Sequence, residues 1–386
     1  MNKIISLIKE NDLQGAVIGD SKKYWVGFNL VKGIGAARFR LLLDAFDDIE
    51  AAWQASPSAL QDAGLSAKLV ESICRVRNSV DLEAVCSRLE QQSIKVITWD
   101  DKDYPRRLRE IDQPPPVLYV RGELLLEDEW AVAVVGTRRV TSYGRQVAEQ
   151  VATALAQSGV TVVSGLAHGV DAIAHQAALN AGGRSMAVLG CGVDFIYPPD
   201  HRRLAEKMIT HGALLSDYAP GTPPEGVNFP PRNRIISGLS MAVVVIEAGD
   251  RSGALITAKF AADQGREVFA VPGNINAPQS IGANRLIQQG AHPLLDIRDL
   301  LESLDLDLVT EQQTARKALP ADKVEAKLLA LLSQQPMHVD EIQNQADMPI
   351  EKISAALTLM ELKGLVRQVG GMQYIAVRET PGVYHV

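Results

Sequence analysis

Residues Trp130 to Gly144 read W-A-V-A-V-V-G-T-R-R-V-T-S-Y-G, an apolar run that gives way to a polar loop. Ala131–Val135 is short, wholly apolar and rich in β-branched residues, the composition of a strand buried on both faces of a parallel sheet. Gly136 ends that strand, and from Gly144 to Gln157 the residues Val147, Val151 and Leu155 recur at helical spacing. Between strand and helix lie Gly136, Thr137, Arg138, Arg139, Thr141 and Ser142: a small-residue turn, hydroxyls able to cap a helix, and two guanidiniums beside a helix N-terminus. Exposed N–H groups, the helix dipole and arginine together favour a phosphate. Taken alone, the stretch fits an ordinary βα turn with solvated arginines equally well.

Outward from this unit the strand–helix alternation continues regularly to about residue 300 and predicts an α/β, doubly wound sheet. Candidate strands are Ala131–Val135, Val160–Ser164, Ser185–Leu189, Ala213–Ser216, Ala242–Ile246 and Val268–Val271. Polar or glycine-rich loops follow at their carboxyl ends, the edge where such sheets bind ligands. The second strand leads into Ser164-Gly165-Leu166-Ala167-His168-Gly169-Val170-Asp171, and the third into Gly190-Cys191-Gly192-Val193-Asp194 and then Tyr197-Pro198-Pro199. The fourth leads to Pro220-Gly221 and to Asn228-Phe229-Pro230-Pro231-Arg232-Asn233-Arg234, and the fifth to Glu247-Ala248 and Arg251-Ser252-Gly253. Loops of this character converging on one edge make coincidence a poor explanation.

Upstream, residues 24–90 read as short helices. Val31-Lys32-Gly33-Ile34-Gly35 sits between two of them and resembles a helix-hairpin-helix, whose glycines let backbone N–H groups reach a phosphate; Ala63-Gly64-Leu65 is a weaker echo. A purely structural packing module reads equally well, since acidic residues crowd positions 44–50. Residues 94–122, with strands at Ile94–Trp99 and Val117–Val120 and the triplet Pro114-Pro115-Pro116, bridge the helices to the sheet. Downstream, residues 305–321 are polar and read as a linker. Helices at Val324–Leu332, Val339–Ala346 and Ile350–Leu362 and a hairpin over Leu365–Val369 and Met372–Val377 then have the order of a winged helix. Its third helix carries Lys352 among Glu351 and Glu361, with Lys363 and Arg367 beyond, too few cations for a strong duplex reader. A protein-contact or auxiliary role is the better reading. The expected domains are thus 1–90, 91–304, the linker 305–321, and 322–386.

Composition agrees: 386 residues, 46% hydrophobic and 22% charged, are those of a globular chain of two or three domains. No run of about 18 apolar residues predicts a membrane span, and the start, MNKIISLIKENDL, has no small-residue cleavage site, so a cytoplasmic location is expected. Cys74, Cys86 and Cys191 form no C-x-x-C. The net charge of −7 is uneven: residues 131–300 carry 14 Lys+Arg against 13 Asp+Glu, and the remainder 25 against 33. Loop arginines in a neutral region of an acidic chain suggest local phosphate recognition, not a general polyanion surface.

The motifs G-T-R-R-x-T-S-Y-G, S-G-L-A-H-G-V-D-A-x-A-H, L-G-C-G-V-D-x-x-Y-P, F-P-P-R-N-R-I-I-S-G-L, E-A-x-x-R-S-G-A-L-I-T-A and V-P-G-N, in this order, resemble those of the DNA processing protein A (DprA/Smf) family. The resemblance is dense over residues 94–300. It implies a Rossmann-like sheet domain between an all-α helix-hairpin-helix or SAM-like domain and a winged helix. It also implies a non-enzymatic mediator that binds and protects incoming single-stranded DNA in natural transformation, dimerises through the sheet domain and loads RecA recombinase. No cofactor and no metal are implied. Carried over by motif, Gly136, Thr137 and Arg138 form the phosphate pocket, with Thr137 where serine is commoner, and Arg232, Asn233 and Arg234 are the R-N-R residues. Arg139, Ser164, Gly165, His168, Arg202 and Arg251 complete the expected DNA-binding set. Some relatives have lysines where this chain has Pro199 and Gly226; His201, Arg202 and Arg203 are the nearby candidates to compensate. Phe195, Tyr197 and Phe229 are the candidates for base stacking. The last helix and strand of the domain, residues 281–295, hold Leu286 and Ile287, adjacent in a helix and so about 100° apart. The resemblance makes these two the dimer and partner residues.

Other constellations give weaker readings. His168 and His175 are seven apart, too far for the i, i+4 pair of a helical zinc site, and His175 suits packing against the sheet. Asp171 and Glu247 can be read as an acid/base pair, which leaves a Rossmann-like nucleotide phosphoribohydrolase as the alternative. The chain lacks the Gly-Gly-x-Gly-Thr loop those enzymes share, so carboxylates that orient Arg138, Arg232 or Arg251 are the preferred reading. Neither G-x-x-x-x-G-K-[ST] nor a G-x-G-x-x-G after the first strand occurs.

Overall fold

The computed structural model describes residues 21–304, 323–332, 336–346, 348–362 and 366–376. They fall into two units divided after residue 306. The 305–321 linker of the sequence reading and the first 20 residues lie outside the described residues.

Six short helices open the first unit: α1 (Lys22–Asn29), α2 (Ala36–Ala45), α3 (Ile49–Gln54), α4 (Pro57–Asp62), α5 (Ala67–Ser79) and α6 (Leu82–Gln91). Asp48, Ser56 and Asp81 cap α3, α4 and α6 by accepting from backbone N–H groups in the first turn. The turns before α2 and α5 place Gly33 and Gly64 at φ +100° and +94°, where a side chain would be strained. Trp25, Phe28, Phe39 and Trp53 are buried, and their core includes Val117 and Tyr119 of the sheet, so these helices pack directly on it.

The sheet unit follows as β1 (Lys95–Thr98), α7 (Arg106–Arg109), β2 (Val117–Gly122), β3 (Ala131–Val135), α8 (Ser142–Gln157), β4 (Thr161–Ser164), α9 (Val170–Asn180), β5 (Ser185–Val188), α10 (Arg202–Thr210), β6 (Gly212–Ser216), α11 (Phe229–Gly238), β7 (Ala242–Val245), α12 (Ala254–Asp263), β8 (Glu267–Ala270), α13 (Ile281–Gln288), β9 (His292–Pro293) and α14 (Ile297–Ser303). The strand order is β1-β2-β6-β5-β4-β3-β7-β8-β9. Strands β3 to β9 are parallel, and β1 and β2 extend the sheet antiparallel beyond β6. Every residue of β3 is buried, as an all-apolar central strand requires. Each such valine withdrawn from water contributes about 1.5–3 kcal/mol. The helix read from Gly144 begins at Ser142, because Thr141 accepts from the Gly144 N–H and caps it.

Strand β3 has β4 on one side and β7 on the other. The chain therefore runs outward through β4, β5 and β6 and resumes on the opposite side of β3 at β7. Such a switch point opens a crevice at the carboxyl end of the strand, where adjacent loops diverge. No helix among the described residues is long and apolar enough to cross a membrane.

The second unit has helices Lys323–Leu331, Val339–Ala346 and Ile350–Leu362 and a three-stranded sheet in which Gln373–Ala376 lies between Met337–His338 and Val366–Gly370. Leu328, Ile342, Ile353, Leu357 and Val366 fill its core. This is a winged helix, with the strand Met337–His338 added to the predicted hairpin.

Candidate nucleic-acid interface

At the carboxyl end of β3 lies a cleft of about 760 Å³, walled by the loops that follow β3, β4, β5, β6 and β7. Its floor depends on close backbone approach: a Cβ on Gly136 would stand 2.6 Å from Val170 and 3.0 Å from the Glu247 carbonyl. The Thr137 N–H donates to that carbonyl at 2.8 Å, tying the β3–α8 loop to the end of β7. Glu247, buried, secures the loop a second time, its carboxylate accepting from the Thr141 N–H at 2.9 Å and from the Thr141 hydroxyl. Glu247 thus holds the loop, where the sequence reading had it orient an arginine. Thr137 Oγ1 accepts from the Arg139 N–H at 3.1 Å, leaving its hydroxyl proton available to a ligand. Arg138 and Arg139 are exposed, and among the described residues neither has a hydrogen-bond or ion-pair partner.

The opposite wall is α11. Arg138 and Arg232 lie on the Phe229 ring with guanidinium carbons 6.0 and 5.8 Å from its centre, and Tyr197 leans on the same ring at 5.8 Å. Arg232 is only 5% exposed. It donates to the carbonyls of Gly165 (3.1 Å) and Val188 and to Asn233 Oδ1, joining the ends of β4 and β5. Asp171 faces it across Gly165 and accepts from the N–H groups of Gly165 (3.1 Å) and Ala167 (3.3 Å). Burial raises the Asp171 pKa, and the Arg232 charge opposes that rise. Burial likewise lowers the Arg232 pKa, against the pull of Asp171. Arg234 turns off the cleft and pairs with Asp217 at 2.9 Å.

Of the expected DNA-binding residues, Gly136, Thr137, Arg138, Arg139, Arg232, Asn233 and Arg251 line the cleft. Ser164 and Gly165 lie buried beneath it, Ser164 donating to the Val134 carbonyl at 2.7 Å. His168 is exposed beside the cleft, its ring 4.9 Å from that of His201, and Arg202 is exposed on the first turn of α10. Pro199 and Gly226, where some relatives carry lysine, supply no charge, and Gly226 lines the cleft. Phe195 is exposed but does not line it. Ser252, read as part of the loop after the fifth strand, lines the cleft, and so does Ile256 in the first turn of α12, which the sequence did not single out; its one sequence signal is proximity to Arg251. His175 is fully buried against the sheet: Nε2 accepts from the Leu166 N–H at 3.3 Å and Nδ1 bonds the Ser185 hydroxyl at 2.8 Å. Burial lowers its pKa to about 3, so the ring is neutral. Among the described residues no three His, Cys, Asp or Glu side chains are grouped to hold a metal. Leu286 and Ile287, expected to diverge, are both half-buried and both pack against the main core beneath α13.

The sequence model of the DNA recombination-mediator protein A family matches residues 95–305, more than half of the chain. The chain belongs to that family. The DprA winged helix domain matches residues 312–372, so the two DprA matches together span β1 to the wing. Protein Smf of Synechocystis sp. is 38% identical over 388 residues, covering 91% of this chain and 98% of the relative. The X-ray structure of DNA processing protein A (DprA) from Streptococcus pneumoniae superimposes with a TM-score of 0.65 at 34% identity, covering 72% of this chain and 97% of that one. DNA processing protein A from Helicobacter pylori, whose structure is described in terms of its single-stranded DNA binding mode, gives 0.50 and 32%, covering 55% and 97%. All five cleft loops fall inside the DprA match, whereas α1 to α6 precede it.

Proposed function

We propose that this chain is a single-stranded DNA-binding recombination mediator whose nucleic-acid site is the cleft at the carboxyl end of β3. One observation carries the reading: Arg138, Arg139 and Arg251 enter one cleft with no acidic partner among the described residues, beside the aromatic pair Tyr197 and Phe229. Uncompensated guanidiniums suit a phosphate chain, and rings on one wall suit unpaired bases. Arg139, Thr137 and the Gly136 turn hold phosphate with Arg138, while Arg232 and Asn233 brace the wall. The Helicobacter pylori relative, described as binding single-stranded DNA, supports this assignment.

Within the same reading the protein acts in the cytoplasm without catalysing a reaction, protects incoming DNA during natural transformation and presents it to RecA recombinase. Both carboxylates that an acid/base mechanism would need are engaged: Glu247 by Thr141, and Asp171 by two backbone N–H groups. Residues 91–304 carry the DNA site, 1–90 and 322–386 being auxiliary domains. A homodimer forms through α13 and β9, where Leu286 borders a cavity with Leu255 and Ala291, Ile287 beside it is half-buried against the core, and Leu295 stands 76% exposed at the end of the edge. Two sites on one particle would raise the effective concentration of a long strand.

Filter binding with matched single- and double-stranded oligonucleotides tests the main claim. Tighter binding of the single strand is expected; a preference for duplex, or no binding, overturns it. Sedimentation tests the dimer, which Ile287→Glu and Leu295→Glu should each weaken. Because Ile287 is half-buried, a melting curve must accompany that variant, whereas Leu295→Glu leaves the fold untouched. A wild-type monomer at micromolar concentration contradicts the proposal.

A further inference from the structure

A second cleft, of about 830 Å³, lies between α8, α9 and α10 on the far side of the Thr137–Arg138 turn. The two clefts share no lining residue and are parted by Gly169, which lines the second and packs its backbone against the turn of the first. A Cβ there would meet the Thr137 carbonyl and stand 2.8 Å from that of Arg138. His201 lines the second cleft, and its ring touches His168 at the same shoulder.

Arg145 enters from the first turn of α8 and Arg203 from the first turn of α10. Both are exposed and, among the described residues, neither has a hydrogen-bond or ion-pair partner. The lining differs from that of the first cleft. It holds no aromatic ring other than the His201 imidazole, and its floor on α9 is of small and neutral polar residues such as Ala172 and Gln176. Such a surface offers close approach and hydrogen bonds but nothing on which bases can stack, so it suits a sugar–phosphate chain with its bases turned to solvent. Glu149 and Asp200 also line it and carry no ion pair, so the cleft holds two phosphates at most and does so against two carboxylates.

We infer that the second cleft continues the DNA path: the strand leaves the first cleft over the Gly169 shoulder, and its backbone lies between Arg145 and Arg203. This rests on the single-strand reading of the first cleft. It assigns to Arg145 and Arg203, which line the cleft from different helices, the phosphate contacts that Pro199 and Gly226 cannot make.

The test uses the full-length protein and single-stranded oligonucleotides lengthened one nucleotide at a time from the shortest that binds. Affinity should rise with the first added nucleotides in wild type. In an Arg145→Glu/Arg203→Glu double variant that gain should vanish, each exposed arginine accounting for roughly two- to fivefold. Asp200→Asn and Glu149→Gln should enlarge the gain. Melting curves of the variants should match wild type, since all four side chains are exposed. An unchanged gain in the double variant, with binding of the shortest strand still dependent on Arg138, overturns the second cleft and leaves the first intact. Binding of the shortest strand that is indifferent to Arg138→Ala overturns the first cleft, and this inference with it.

Discussion

Arg138 and Arg232 lie on one ring, that of Phe229, at 6.0 and 5.8 Å, yet their surroundings are opposite. Arg138 belongs to a loop pinned from behind by Glu247 and presents its guanidinium to an open cleft. Arg232 belongs to a helix, is buried, and has its Nε and Nη1 donors taken by Asn233, Gly165 and Val188. The first can exchange water for phosphate at little cost. The second has no water to exchange and is part of the wall. Proximity to a cleft therefore does not by itself make an arginine a ligand contact; desolvation and existing partners separate the two roles.

The largest expected effect follows from the buried side. Arg232→Ala leaves the Gly165 and Val188 carbonyls without a donor and Asp171 without its counter-charge, and should lower stability by about 3–5 kcal/mol in urea unfolding. An Arg232→Ala protein as stable as wild type would erase the distinction. On the exposed side, Arg138→Ala should leave the urea midpoint within experimental error and weaken single-strand binding by about 1–3 kcal/mol, the range of a charge-assisted contact.

A smaller effect comes from His175, beneath the same wall. Folded, its pKa is held near 3, against 6.5 when unfolded. Above pH 6.5 neither state is protonated and the ring costs nothing. As pH falls below 6.5 the unfolded chain takes up the proton first, so stability drops by about 1.4 kcal/mol per pH unit. Asp171, whose folded pKa is raised, pulls the other way and flattens the net curve. His175→Gln should be less stable at pH 7 but lose less between pH 6.5 and 5.5. Parallel curves for the two proteins would mean that the ring is not buried as a neutral group.

Strand runs and their loops were legible because β-branched segments ending in glycine have few other uses; each strand predicted between residues 131 and 271 matches within one residue at either end. The loops expected at the carboxyl ends of these strands do meet at one edge, because sheet connectivity sends them to one side. What one sequence hid was the division among the arginines. Pro230-Pro231 before Arg232 suggests a loop, but prolines are tolerated in the first turn of a helix, and here they begin α11. Once that segment is helical, Arg232 shares its face with Ile235 and Ile236 and turns inward, while Arg234 meets Asp217. The partner of Glu247 was hidden too, since Thr141 lies 106 residues away and meets it only because β7 lies beside β3.

The salt dependence of single-strand binding tests the central claim most directly, because it counts phosphate contacts irrespective of fold. We expect the slope of log K against log salt to fall by about 0.7 in Arg138→Ala, one single-strand phosphate contact, and to stay at the wild-type value in Arg234→Ala, whose side chain is paired with Asp217. A wild-type slope in Arg138→Ala, or the same fall in both variants, would contradict a site built on the exposed arginines at the end of β3.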